Sequence, residues 1–353
     1  MKRIILSIAS LALILGSCQE STNEIKPDQQ EIAVDMSDFY VYTSDENTTK
    51  STHDGHVHGP NCGSMKVLNR QLKENPSLEN RMYNIEKHTR KLIAAKGVNL
   101  KGKPGGGGTP LPTPYQGSIT IPVIINILED ASHPVTQAHI TSQIDILNED
   151  FNDLNPLTGG VPNEFNNDIA NVDITFVLAG VNRKTSSKTS WGTNDAMKHS
   201  NQGGIDATDP ANKLNFWICE IGGGILGYAQ FPGGELATDG VVIGSDFFGE
   251  NSRGGEYGHG RTATHEVGHW LNLRHIWGDG RCRQDDFVTD TPSSDQPNYG
   301  CPSYPTVHCK SNDMTMNYMD YVNDQCMYMF TNGQNDRIRS IFSPGGARES
   351  FVN

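Results

Sequence analysis

Residues 265–275 read HEVGHWLNLRH. No other stretch narrows the fold as far, because its histidines work together only in one local geometry. His265 and His269 are four apart, so on a helix they stack on one face and can share a metal ion. Glu266 points a different way and is placed to hold a water as general base rather than to bind the metal. Nitrogen ligands and a low coordination number favour zinc, and three protein ligands leave one position for a water whose pKa falls to about 7. His275 lies six residues past His269, and a continuing helix would carry it about 120° away. The helix must therefore stop and the chain must turn. Such a turn needs positive φ, usually supplied by glycine. Asn272 stands there instead. Asparagine tolerates left-handed backbone best among the other residues, at roughly 1 kcal/mol. The competing reading is a surface helix with scattered histidines, and the third histidine and turn-compatible asparagine argue against it.

The N-terminus predicts export. Lys2 and Arg3 precede a largely apolar run, Ile4 to Leu15, and then Gly16, Ser17 and Cys18. The run is too short to span a bilayer and reads as a signal peptide over 1–17. The small residues before Cys18 resemble a bacterial lipobox, which would make Cys18 the lipid-bearing first residue of an envelope lipoprotein. The alternative is an ordinary cleaved signal and free secretion. Either way the remaining cysteines meet an oxidising compartment. Cys282, Cys301, Cys309 and Cys326 fall close together after the histidines, and four cysteines allow three connectivities that spacing does not separate. Two disulfides stapling a loop-rich region are expected. Cys219, inside LNFWICEI, reads as a buried thiol. A formal net charge of -13 argues against nucleic acid as a partner, since phosphate binding needs clustered Lys and Arg.

Along the chain, residues 19–50 are polar and acidic and read as a solvated tether. THDGHVHGPNCGSM follows, at 52–65; its His53, His56 and His58 read as a solvated tract. Residues 66–96 have helical periodicity, interrupted at Pro76. The Gly- and Pro-dense stretch 101–117 predicts a mobile linker open to proteases. Order resumes at Ser118 with a buried strand. A helix follows with Ile140, Ile144, Leu147 and Phe151 on one face, then strands at 172–179, 214–221 and 240–244, and a short edge strand within 222–234. The fold class is thus α/β: a mixed, twisted sheet with an active-site helix, then an irregular, disulfide-stapled C-terminal part and a final helix near 332–342. The domains read as a signal over 1–17, a prosegment over 18–116 and a catalytic domain over 117–353.

The residues HEVGHWLNLRHIWGDG at 265–280, DTP at 290–292 and NYMDYVNDQCMYMFTNGQNDRI at 317–338 together resemble the metzincin metalloproteases. The likeness is to the pappalysin family and its ulilysin-like members, and covers roughly 117–345. It implies a zinc site on His265, His269 and His275, with Met319 in the Met-turn beneath the metal and Tyr321 as an oxyanion donor. It implies Asp324 at the floor of the pocket for the residue after the scissile bond, hence cleavage N-terminal to Arg or Lys. It implies the disulfides Cys282–Cys309 and Cys301–Cys326, and calcium near Asp285, Asp286, Asp290 and Thr291. Cys62 in NCGSM resembles a cysteine switch, its sulfur taking the open zinc position of a latent proenzyme until the linker is cut near Lys96–Lys103 or beyond. The partners implied are protein or peptide substrates, with membrane contact only through an N-terminal lipid. The alternative function is a surface-tethered, zinc-containing binding or adhesion protein, against which the intact Glu266 argues.

Overall fold

Ile119, Ile121, Val123, Ile125 and Ile127 are all buried, and this run of β-branched residues is the spine of the molecule. The computed structural model describes residues 32–42, 61–101 and 111–352. Val34–Asn353 forms one unit, and Met1–Ala33 is a second, of which only the last two residues are described. The signal peptide, Cys18, His53, His56, His58 and Lys103 lie outside the described residues.

In chain order the main elements are β1 (Asn61–Cys62), α1 (Ser64–Glu74), α2 (Ser77–Lys101), β2 (Ile119–Glu129), α3 (Gln137–Asp150), β3 (Ile174–Thr185), β4 (Leu214–Cys219), β5 (Ile225–Ala229), β6 (Val241–Gly244), α4 (Arg261–Trp270) and α5 (Asn332–Ser340). The sheet order is β1-β5-β6-β4-β2-β3. β2 lies parallel to β3 and β4, and β4 to β6. β5 runs antiparallel to β6, so the sheet is mixed. It ends on that side, within the part downstream of the linker, in a strand whose outer edge is taken by β1. α3 and α4 pack against the sheet through one apolar core that includes Ile140, Leu147, Val267 and Trp270.

Three elements differ from the periodicity. β3 runs to Thr185, well past residue 179, because it pairs with β2, across a register shift between Val123 and Ile124, as far as Glu129. Beyond Phe176 its side chains are mostly exposed, so the apolar pattern stops where the backbone ladder continues. In α3, Ile146 is buried and Ile144 only partly so; the inward face is rotated toward Ile140, Gln143 and Leu147. Residues 111–117, expected to be a loose linker, are held on α5 and the turn after it: Arg339 donates to the carbonyls of Tyr115 and Gly117, and Ser343 to that of Thr113. A backbone carbonyl can be captured whatever side chain it carries, so composition does not reveal this.

The upstream segment is folded onto the rest. α1 and α2 part at Asn75–Pro76 as Pro76 requires. Val41, Met65, Leu68, Leu72, Leu78 and Met82 form an apolar cluster with Phe231. The buried Glu86 on α2 receives both terminal nitrogens of Arg337 on α5, at 3.1 and 2.7 Å. After α4 the chain is mostly loops, with the short strands β7 (Tyr299–Gly300), β8 (Val307–His308), β9 (Ser311–Asn312) and β10 (Tyr321–Val322) paired as β10–β7 and β8–β9. Disulfides join Cys282 to Cys309 and Cys301 to Cys326. Cys219 is free and buried, and burial pushes its thiol up. Among the described residues no helix is long and apolar enough to cross a membrane.

Candidate metal centre and active site

The turn required between the second and third histidines is present. α4 ends at Trp270, and Asn272 has φ +74°. The N–H of Leu273 then returns to the carbonyl of Gly268 at 2.9 Å, and the reversal swings His275 back over the helix end. The His265 and His275 rings stack with centroids 5.2 Å apart, and the His269 and His275 rings meet edge-on at 4.6 Å.

The ring tautomers follow from their partners. His265 Nδ1 faces the carbonyl of Tyr318 at 2.7 Å, and His269 Nδ1 that of Leu273 at 2.8 Å. A carbonyl only accepts, so each Nδ1 carries the proton and each Nε2 a lone pair. His275 Nδ1 meets a carboxylate oxygen of Asp279, which sets it the same way. His265 Nε2 is buried with no hydrogen-bond partner among the described residues, and His269 Nε2 and His275 Nε2 lie 3.1 Å apart. Two imidazole lone pairs facing at that distance repel unless a cation lies between them. Protons are disfavoured there: burial, then the neighbouring histidines, pushes His269 well below its usual value and His265 down to about 3. Ligand atoms of Cys62, His265, His269 and His275 all lie within 4.8 Å of one another. Three imidazoles and a sulfur are a donor set suited to zinc, so the residues fit the metal.

Glu266 sits beside this centre, buried, and burial raises its carboxyl to about 7 against the opposing hydrogen bond from Ser64. Tyr321 stands over the histidines, its ring 4.9 Å from His275 and 5.6 Å from His265. Met319 is fully buried beneath α4, and a Cβ at Gly268 would lie 2.4 Å from its sulfur. Gly268 is thus the residue that lets the helix descend onto that sulfur. A cavity beside the centre is lined by Cys62, Leu226, His265, Glu266, Tyr321 and Asp324 among others. Asp324 is buried and accepts the backbone N–H groups of His259 and Arg261, at 2.9 and 3.2 Å. Burial nevertheless raises it to about 6.

The acidic loop is only partly gathered. Asp286 is buried, accepts the hydroxyl of Thr291 at 2.9 Å, and is raised well above the usual carboxylate range by burial and then by Asp285. Asp290 is directed elsewhere. It accepts the Thr331 hydroxyl at 2.6 Å and the Gly333 N–H at 2.7 Å, at the start of α5.

Sequence reasoning missed three residues around the centre. Asp279 orients His275, and its place four residues on was a readable signal. Trp277 stacks on the His275 ring with centroids 4.2 Å apart. Ser64 bonds to Glu266 from 202 positions away, and no local pattern announces that.

Comparison with known proteins points to a protease family. The family described as Pregnancy-associated plasma protein-A, peptidase family M43, matches residues 206–343. The chain is 31% identical over 268 residues to an extracellular metalloprotease of Verticillium alfalfae, covering 71% of this chain and 86% of the relative. It is 31% identical over 243 residues to one of Pyricularia oryzae, covering 65% and 76%. Among solved structures, mature mirolysin of Tannerella forsythia in complex with a cleaved peptide superposes with a TM-score of 0.65, at 41% identity, over 67% of this chain and 96% of that one. A promirolysin mutant of the same organism gives 0.69 at 35% identity, over 82% and 96%. Fold and relatives together define a zinc metalloendopeptidase with a metzincin catalytic domain, acting on proteins or peptides. The chain belongs to the pappalysin family, peptidase family M43. The reading as a binding or adhesion protein without activity is thereby set aside.

Proposed function

We propose that the chain is the latent precursor of an exported zinc endopeptidase that cuts on the N-terminal side of Arg or Lys. The observation that carries this is the convergence of His265, His269 and His275 with the upstream Cys62 next to a buried Glu266. Bound zinc supplies Lewis acidity toward the scissile carbonyl and toward water. Glu266 takes the proton of the attacking water and passes it to the leaving amine. Tyr321 donates its phenol proton to the developing oxyanion. The edge of β5 pairs with an extended substrate by strand addition. Asp324 receives the cationic side chain after the scissile bond. Cys62 blocks the centre until the prosegment leaves.

On this reading residues 1–17 are the signal peptide, with Cys18 as the lipid-bearing residue in the anchored form. Residues 18–116 are the prosegment and 117–353 the catalytic domain. The names of the relatives, extracellular metalloproteases, support export. Calcium would sit on Asp285 and Asp286 beside Thr291, whose crowded carboxyl oxygens suit a hard cation; Asp290, engaged by α5, is a weaker member of that set. The test digests a proteome-derived peptide pool with the chain after maturation. Cleavage should be chelator-sensitive, place Arg or Lys after the cut, and fall by roughly 10²- to 10⁴-fold in Glu266→Ala. Cuts without that preference would refute the assignment of Asp324, and unchanged cleavage by Glu266→Ala would refute its role as base.

A further inference from the structure

The prosegment crosses the centre as a short strand that turns at once into a helix, and the residue at that turn makes an unexpected contact. Ser64 is fully buried. Its hydroxyl donates to Glu266 Oε2 at 2.7 Å and accepts the N–H of Ala229 at 2.7 Å. It does not cap its own helix; α1 begins with no side-chain cap at Gly63. The hydroxyl's proton and an acceptor lone pair are both spent on the catalytic part of the chain.

The edge of β5 explains why this position matters. Residues two apart in a strand direct their backbone groups to the same side. The carbonyl of Gly227 and the N–H of Ala229 therefore face outward together, where an extended chain would pair. Gly63 takes the Gly227 carbonyl through its N–H at 2.8 Å. A strand continuing past Gly63 would offer a backbone carbonyl to Ala229. The chain instead folds into α1, whose carbonyls point along the helix, and the Ser64 hydroxyl accepts that N–H in their place. Cys62 Sγ is two residues back along the same turn and accepts the Ser64 N–H, 3.4 Å from its nitrogen. One tight loop thus presents the thiol to the histidine cluster and to Glu266, and the hydroxyl to Glu266 and the edge of β5.

We propose that Ser64 is a second latch of the precursor, independent of Cys62, whose hydroxyl occupies both the proton-accepting oxygen of Glu266 and the edge-strand N–H that a substrate carbonyl would take. This rests on the reading of Glu266 as the base and of the upstream segment as inhibitory. It makes latency a double block, one residue at the metal position and one at the base. Loss of the thiol alone then leaves the base engaged and the edge strand covered. A hydrogen bond to a carboxylate is of the stronger, charge-assisted kind, so this latch should hold activity down by roughly ten- to hundred-fold.

The experiment uses the full-length, zinc-loaded chain and measures initial hydrolysis of a quenched fluorescent peptide before any self-processing, with chain integrity followed by mass. Wild type, Ser64→Ala, Cys62→Ala and the double variant are compared with the matured enzyme. Cys62→Ala should stay at least ten-fold below the matured enzyme, and the double variant should recover most of that gap. Ser64→Thr, which keeps the hydroxyl, should behave as wild type in both backgrounds. Should Ser64→Ala not fold, Ser64→Val against Ser64→Thr makes the same comparison at equal volume. Thermal stability and amide exchange across α2 should be unchanged in Ser64→Ala, while the Ala229 amide exchanges faster. The proposal is overturned if Cys62→Ala alone equals the matured enzyme, if the double variant is no more active than Cys62→Ala, or if Ser64→Ala loosens α2 as a whole. Wild-type precursor as active as the matured enzyme would instead overturn the latency reading itself, and the latch with it.

Discussion

At the residue scale the centre depends on groups that touch no metal. Asp279 holds the Nδ1 of His275, fixing the tautomer that turns Nε2 toward the other histidines. Such outer partners tune ligand basicity and orientation. Asp279→Ala should weaken zinc binding by roughly 10- to 100-fold, read by competition with a chromogenic chelator, with the fold retained. Asp324 supports a prediction with a definite sign. Its buried carboxyl is raised to about 6 against the opposing backbone N–H groups of Arg261 and His259. A raised acid is neutral below that value and charged above it. Preference for Arg or Lys over a neutral side chain after the cut should therefore grow as pH rises from 5 to 7.5, and Asp324→Asn should show a flat, weak preference. The ratio of kcat/KM values for paired peptides measures both. The histidines and Glu266 were legible because they lie within one helix-turn span, whereas Asp279, four residues past His275, was overlooked. Ser64 was not legible, because a serine has no pattern until the fold brings it to a carboxylate.

At the element scale α4 and the turn after it decide whether three histidines become one site. The helix stops because Asn272 adopts φ +74°, which a β-branched residue resists. Asn272→Gly should be neutral or stabilising by about 1 kcal/mol, since glycine enters that region without steric cost. Asn272→Val should lower both the melting temperature and the zinc content of the purified chain, because the turn that delivers His275 is strained. Gly268 is constrained from the other side by the sulfur of Met319. The periodicity located α3, α4 and the buried strands but misjudged where β3 ends. Backbone pairing with β2 continues after the apolar signal has stopped, and a solvent-facing edge strand needs no apolar residues.

At the scale of the whole molecule the upstream segment is a packed layer. Val41, Leu72 and Met82 share a core with Phe231 of the catalytic part, and Lys96 reaches Asp336 at 2.6 Å. The Glu86–Arg337 pair gives this docking a pH dependence. Burial alone would raise Glu86, but the guanidinium groups of Arg337 and Arg90 hold it down to about 2, against an ordinary value of 4.5. A carboxyl depressed by folding stabilises the folded form above its unfolded pKa, and that contribution fades as pH falls through the folded value. The uncut precursor should accordingly lose melting temperature between about pH 4.5 and 2, beyond the loss shown by Glu86→Gln, in a pH series of thermal melts. A buried pair with one partner removed is costly, so Glu86→Gln should also melt lower than wild type at neutral pH.

The sequence by itself determined the histidine-bearing helix, the need for a break before His275 and the α/β class. The first two are short-range matters, set by helical periodicity, backbone preference and ligand chemistry and readable within a dozen residues, and the class follows from the order of strands and helices along the chain. Only the tertiary structure decided that residues 111–117 lie fixed on α5, that Asp290 serves α5, and that Ser64 engages Glu266. Those outcomes depend on which hydrogen-bonding groups meet after the sheet and its flanking helices have closed. Nearly every polar group can bond to nearly every other, so their pairing follows from proximity in space, which residue order does not encode locally.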